Sequence, residues 1–247
     1  HHQTVDGYSA AKLKRYDDFL RTNLHPQFNR YKEVLERYAV EVPTPVHDML
    51  SVKYFVVADT LALRGVMPQK NLVYTNPFSR IKIYENLSVL PRAWFVENVE
   101  VVPVADSILA LMNGMEFDPE RVAYIETPIE GLEAPRNASA KQSMAELHEL
   151  RYDVKTDTKS LLVLSEVYYP AGWKAYLNDE EIEILPVNYI LRGIAVPAGE
   201  HELKLVFAPE SYGNSVKLSG IGLIMTLLCL AGGLAIYYKN KKQTITA

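Results

Sequence analysis

Hydrophobic positions along the first third of the chain switch between helical and strand spacings. Over residues 8–38, Leu13, Tyr16 and Leu20 form one apolar stripe, and Phe28, Tyr31, Leu35 and Tyr38 form a second. Spacings of three and four predict two helices. Pro26 fits the first turn of the second helix and ends the first. Pro43 and Pro45 then break the pattern. Short β-type runs follow at Val52–Ala58, Leu72–Thr75, Arg80–Tyr84 and Ala93–Val102, with Asn76-Pro77 read as a turn. Ala105–Asn113 has helical spacing and stops at Gly114, and Val122–Glu126 is a further short segment.

Thr127–Ala140 is rich in Pro, Gly, Glu and Asn and reads as a linker or long loop. From Lys141 to Pro209 the pattern is almost entirely strand. Met144–Val154 alternates weakly. Ser160–Tyr169, Trp173–Leu177, Glu181–Leu185, Tyr189–Val196 and His201–Phe207 recur about every ten residues, divided by Gly, Pro and Asn turns. Such spacing predicts an antiparallel β-sandwich, jelly-roll-like in character. In the last strand Leu203, Leu205 and Phe207 alternate with Glu202, Lys204 and Val206, so one face is expected to be buried.

Leu218–Tyr238 carries no charge and is long enough to cross ~30 Å of hydrocarbon as a helix. Tyr237 and Tyr238 sit where an interfacial aromatic belt lies, and Lys239, Lys241 and Lys242 follow. The opposite flank has only Lys217. The positive-inside rule then puts the C-terminus in the cytoplasm and residues 1–213 outside it. A buried core helix is the alternative, but core helices of this length nearly always keep a polar face. The expected fold class is α+β: a mixed α/β N-terminal part, an antiparallel β-sandwich module and one C-terminal transmembrane helix. The expected organisation is an exterior mixed domain over 1–126, a linker over 127–140, the sandwich over 141–212, the membrane helix over 213–239 and a cytoplasmic tail over 240–247.

Composition limits the partners. The chain has 247 residues, 48% hydrophobic and 23% charged, with a formal net charge of −4 and one Cys. It is long enough to bury a core, and it is neither disordered nor a disulfide-stapled mini-protein. Nucleic acid is not an expected partner, because phosphate binding needs clustered Lys and Arg. Cys229 lies inside the uncharged run, so the exterior part has no disulfide. The first residue is His1, which suggests a processed or tagged product or a fragment. A domain outside the membrane then implies either a removed signal or further membrane helices upstream.

Catalytic motifs are scarce. There is no GxSxG, HExxH, CxxC, P-loop or GxGxxG. His25, His47, His148 and His201 share no metal-ligand spacing and read as surface or loop residues, and His1 and His2 read as a tag remnant. The adjacent acids Asp17-Asp18 and Glu180-Glu181 do not face each other on a helix or strand. Catalytic residues, metal ligands and cofactors are therefore not assigned. The basic residues Lys12, Lys14, Arg15 and Arg21 are either a solvated helix face or a contact for anionic head groups or a phosphorylated substrate. The sequons at Asn86 and Asn137 carry little weight. The aromatic group Tyr168, Tyr169, Trp173 and Tyr176 brackets a Pro-Ala-Gly turn. It is the candidate substrate-binding site, since an aromatic platform can stack on a sugar ring. The alternative is that Trp173 and one Tyr fill the sandwich core.

Several segments, in this order, resemble the C-terminal region of the YfhO family of bacterial multi-pass membrane proteins. They are Gly7–Leu13 leading into Arg15-Tyr16, Met49–Phe55, Leu90–Val96, Tyr169–Asn178, Pro186–Gly193 and Pro197–His201. Family patterns read Tyr-Pro-Gly-Trp at the strongest of these; here Ala171 lengthens the turn by one residue. The resemblance implies a GT-C-type glycosyltransferase with many membrane helices and a lipid-phosphate-linked sugar donor, modifying cell-envelope polymers on the outer face. Its catalytic carboxylate would lie in an early exterior loop, before His1. The implied role of this part is non-catalytic: packing over the membrane core, or helping bind or orient the acceptor. The implied partners are membrane lipid, a glycan or polyprenyl-phosphate-linked sugar, and upstream helices of the same protein. A membrane-anchored carbohydrate-binding sandwich and a structural envelope protein remain the other readings.

Overall fold

A computed structural model describes residues 4–5, 12–38, 40–58, 70–76, 78–79, 81–114 and 116–245. The N-terminal helical run is continuous where two helices are expected. Helix α1 (Lys14–Phe19) passes through a π-helical turn at Leu20–Leu24 into α2 (His25–Tyr38). Pro26 explains the turn. Its ring clashes with the carbonyl four residues back and it lacks an N–H, so the helix widens to i→i+5 bonding, as in His25 N–H to Leu20 O. The Thr22 carbonyl, left without that donor, accepts a 2.8 Å hydrogen bond from the Asn113 side chain. Of the first expected stripe, Leu20 is buried and Tyr16 packs against the core while Leu13 is exposed; Phe19 and Leu24 complete the buried face. Of the second stripe, Tyr31 is buried and Tyr38 exposed.

A short helix α3 (Pro45–Met49) leads to a three-stranded sheet of β1 (Tyr54–Ala58), β2 (Lys70–Asn76) and β3 (Ile81–Asn86), in the order β1-β3-β2. Asn76 Oδ1 accepts the N–H groups of Phe78 and Ser79, which makes the expected turn an Asx turn; Pro77 lies outside the described residues. The Asn86 sequon is structural: its amide donates to Asp48 and to the Val52 carbonyl, and the residue is buried.

The next stretch departs from one long strand over Ala93–Val102. It forms β4 (Ala93–Phe95) and β5 (Asn98–Val101), which lie apart in the same sheet. Helix α4 (Ala105–Met112) crosses from β5 to the parallel strand β6 (Val122–Ile125), a βαβ unit. Then come β7 (Ser139–Ala145), β8 (Glu149–Thr156), β9 (Ser160–Val167), β10 (Trp173–Leu177), β11 (Glu180–Ile182), β12 (Leu185–Val187), β13 (Leu191–Val196) and β14 (Gly199–Phe207). The weak alternation over Met144–Val154 is a hairpin: β7 turns through Glu146–His148 into β8. The run Glu181–Leu185 also divides, because β11 and β12 belong to different sheets.

Two large sheets result, with orders β11-β10-β14-β8-β7 and β4-β9-β13-β12-β6-β5. Strands from both sides of the 127–140 stretch share the second sheet. Much of that stretch is irregular chain tied to the β8–β9 turn, through Glu133 N–H to Lys159 O and Asp157 N–H to Arg136 O. Tyr152, Val154, Leu203 and Leu205 of the first sheet meet Leu162, Leu164, Ile194 and Val196 of the second in one core cluster. On the other face of the second sheet, Leu161, Val163, Trp94 and Val187 pack on Phe19, Leu24, Met49 and Ile108. The architecture is three layers: helices, six-stranded sheet, five-stranded sheet.

Helix α5 (Glu210–Ile245) leaves β14 after only Ala208 and Pro209. At 1.5 Å per residue it is about 54 Å long. The helix expected over Leu218–Tyr238 is present. Its described side chains end at Gly233, however, and Leu218–Gly233 rises only about 24 Å. Among the described residues no helix is long and apolar enough to cross a membrane. The span expected over 218–238 therefore lies partly outside the described side chains.

Gly193 marks the tightest point of the middle sheet. A Cβ there would stand 2.3 Å from Val187 Cγ2 and 3.2 Å from Leu161 Cδ1. We expect Gly193→Ala to destabilise the protein by about 1–3 kcal/mol, the usual result of overpacking a dense core. Chemical denaturation would show it as a lowered midpoint with an unchanged slope.

Candidate functional site

The expected aromatic platform divides between two faces of β10. Ala175 and Leu177 face the core, so Lys174 and Tyr176 point the other way, Tyr176 opposite Glu181 and Lys204. Trp173 packs against the sandwich core. The Tyr169 and Trp173 rings both lie on Phe207, with centroids 6.5 and 5.4 Å away. Gly172 makes this possible, since a Cβ there would sit 2.3 Å from the Phe207 ring. Tyr168 turns elsewhere. Burial raises its phenol pKa, and its charged neighbours are Arg15, Glu126 and Glu183. Tyr169 and Trp173 are thus brought together, while Tyr168 and Tyr176 are not. The turn seats Phe207, the last residue of β14, with two residues between it and α5.

A polar cluster closes the same end of the sandwich. The Arg192 guanidinium lies 4.2 Å from the Trp173 ring centroid, and its Nε donates to Val167 O at 2.9 Å. Arg192 is 3% exposed, and among the described residues its Nη1 has no hydrogen-bond partner. Burial lowers its pKa to about 10, opposed by Glu166 and Tyr152, so it stays charged at neutral pH. Glu166 in turn accepts from Arg92. The Glu166 carboxylate is thus bound by Arg92 and lies near enough to Arg192 to favour its charged form. Arg92, Trp173 and Arg192 come from three of the sequence segments quoted above, which are far apart in the chain and meet here.

Beside this cluster lies a cleft of about 660 Å³, between α2, α3, β1 and the end of β9. Phe28, His47 and Phe55 line one side, their rings 5.4–5.8 Å apart. Behind them the buried Lys70–Glu41 pair, 3.4 Å apart, sits under the Phe55 and Tyr31 rings. Arg92, Ser165 and Glu166 line the opposite side. Ser165 is 6% exposed, and among the described residues its Oγ has no hydrogen-bond partner. A depression of similar size runs between residues 125–130 and 182–197. Its Glu126 is bound bidentately by Arg15, at 2.6 and 3.0 Å, and its Lys159 by the Glu130 carbonyl. The first cleft, which combines stacked rings with a buried hydroxyl that has no partner among the described residues, is the candidate site.

Three of the four N-terminal basic residues face carboxylates: Lys14 pairs with Asp18, Arg21 with Asp17 and Arg15 with Glu126. His47 departs from the surface or loop reading, being buried in α3 beside the cleft. Among the described residues no group of three His, Cys, Asp or Glu is arranged to hold a metal. Sequence reasoning missed Ser165, Glu166 and Arg92. The available signal was a Ser-Glu pair inside the otherwise apolar run of β9.

Residues 129–219 match the family model described as bacterial membrane protein YfhO. The match agrees with the resemblance read from the motifs over three of the quoted segments, Tyr169–Asn178, Pro186–Gly193 and Pro197–His201; the other three lie before residue 129. It takes in the five-stranded sheet, Glu166, Trp173, Arg192 and the root of α5. No curated protein and no solved structure matches the chain.

His47 supplies a pH test. Burial, with Lys70 and His25 nearby, lowers its folded pKa from 6.5 to about 3. Between those values the unfolded chain binds a proton that the folded chain does not, so stability falls as pH drops. We expect a loss approaching about 1.4 kcal/mol per unit between pH about 6.5 and 3. Denaturant titrations of wild type and His47→Gln across that range should differ in slope, the variant being flatter.

Proposed function

We propose that this chain is the exterior domain and following membrane helix of a YfhO-family membrane glycosyltransferase. In this reading its residues hold or orient an envelope acceptor, while sugar transfer from a lipid-phosphate donor takes place elsewhere in the protein. One observation carries the membrane assignment. Leu218, Ile221, Leu223, Ile224, Met225, Leu227, Leu228 and Leu230 are all more than half exposed, on every side of α5. A helix apolar all round needs cover from lipid or from other helices. The Lys residues at 239, 241 and 242 support a cytoplasmic C-terminus. The family match and the order of the sequence segments support the transferase assignment.

Topology is tested by cysteine labelling in intact cells, using the native protein with Cys229→Ser. We expect an impermeant maleimide to label Ser139→Cys without lysis and Gln243→Cys only after lysis. The reverse pattern, or release of the protein by alkaline extraction, overturns the membrane reading. Membranes carrying the whole protein and supplied with a polyprenyl-phosphate sugar should modify an envelope polymer. Absence of transfer overturns the transferase reading alone.

A further inference from the structure

We propose that the cleft between α2, α3, β1 and the end of β9 binds a saccharide ring, held by Ser165 Oγ and the Arg92–Glu166 pair against Phe55. The proposal deepens the acceptor-binding reading above, on which it rests for the source of the sugar. The local sequence creates the site. Leu161 and Val163 occupy the helix-facing side of β9 and are fully covered. Beyond Leu164 the pairing of β9 with β13 breaks register, leaving Ser165 and Glu166 in a bulge where the helical layer gives way to the cleft, and both residues line it.

The chemistry favours a neutral, hydroxyl-rich ligand. A buried hydroxyl without a partner leaves both a donor and an acceptor to be satisfied. Beside it, Arg92 and Glu166 present donors and acceptors together, which suits neighbouring hydroxyls that each donate and accept. The cations lining the cleft face carboxylates: Arg92 faces Glu166, and Lys53 lies 3.8 Å from Glu85. His47 is held neutral by burial. Paired cations make a poor phosphate site, and His25 is the other imidazole that lines the cleft. Phe28 and Phe55 supply an apolar wall of the kind that meets the C–H face of a sugar.

The test uses the full chain in lipid nanodiscs, titrated with glucose, galactose and N-acetylglucosamine and followed by saturation-transfer NMR, with inorganic phosphate in parallel. We expect at least one sugar to bind and phosphate not to. Ser165→Ala should weaken binding about tenfold, the usual scale for a lost hydrogen bond to a ligand. Its melting temperature should stay level or rise, because Oγ has no protein partner to lose. Phe55→Leu should also weaken binding. The proposal falls if no sugar binds, if neither variant changes binding, if phosphate binds in place of sugar, or if Ser165→Ala lowers the melting temperature. None of these results bears on membrane topology, so failure here is separate from failure of the anchoring reading.

Discussion

The structure depends on the β9–β13 pair being buried on both faces. Residues Ser160–Ser165 of β9 are all buried, as are Leu191–Ile194 of β13. A strand pair of this kind must be covered twice, since each exposed apolar side chain forfeits roughly 1.5–3 kcal/mol of burial. The five-stranded sheet covers one face. The helices, α4 among them, must cover the other, so the N-terminal residues are a required layer of the sandwich. Gly193 fits the same constraint, because the neighbouring strands leave no room for a methyl group.

The helical layer is pinned as well as packed. Arg15 on α1 grips Glu126 beyond β6, donates to the Tyr189 carbonyl and stacks over the Tyr189 ring. Asn188 and Tyr189 both have positive φ, near +46° and +67°. Asn tolerates that conformation far better than Tyr. The turn is held by Asn188, whose backbone and side chain exchange hydrogen bonds with Tyr124. The strained Tyr189 is thus set by its neighbours, and its carbonyl and ring are presented to Arg15.

Strand-rich order and turn positions in the C-terminal half were legible in the sequence, because alternation and Gly/Pro turns act locally. What was illegible depends on which layer a strand joins. Nothing local in Glu181–Leu185 shows that β11 and β12 belong to different sheets, or in Ala93–Val102 that two separate strands form. The continuous helix across Pro26 was hidden because its compensation is remote: a π-turn plus a side chain from Asn113. The aromatic group misled for a similar reason. Adjacency in sequence placed Trp173 and Tyr176 together, while strand periodicity sets them on opposite faces. The polar cluster was half visible, since Arg92, Trp173 and Arg192 lay inside recognisable segments, but their meeting around Glu166 is a property of the fold.

That meeting gives the open end of the sandwich its character. Phe207, three residues before α5, touches Trp173; Trp173 lies under Arg192; Arg192 feels the charge of Glu166, which Arg92 binds; and Arg92 lines the cleft. The links are packed rings and charges, and Arg192 at their centre is buried, so removing the nearby Glu166 carboxylate would leave a buried cation uncompensated. The chain of contacts therefore fixes the cleft relative to the root of α5 rather than leaving them to loops. A ligand held at Ser165 would thereby stand at a set position with respect to the base of the helix. A domain that orients an acceptor for chemistry performed in the membrane needs that geometry, because misplacement of about 1 Å can cost a hundredfold in rate.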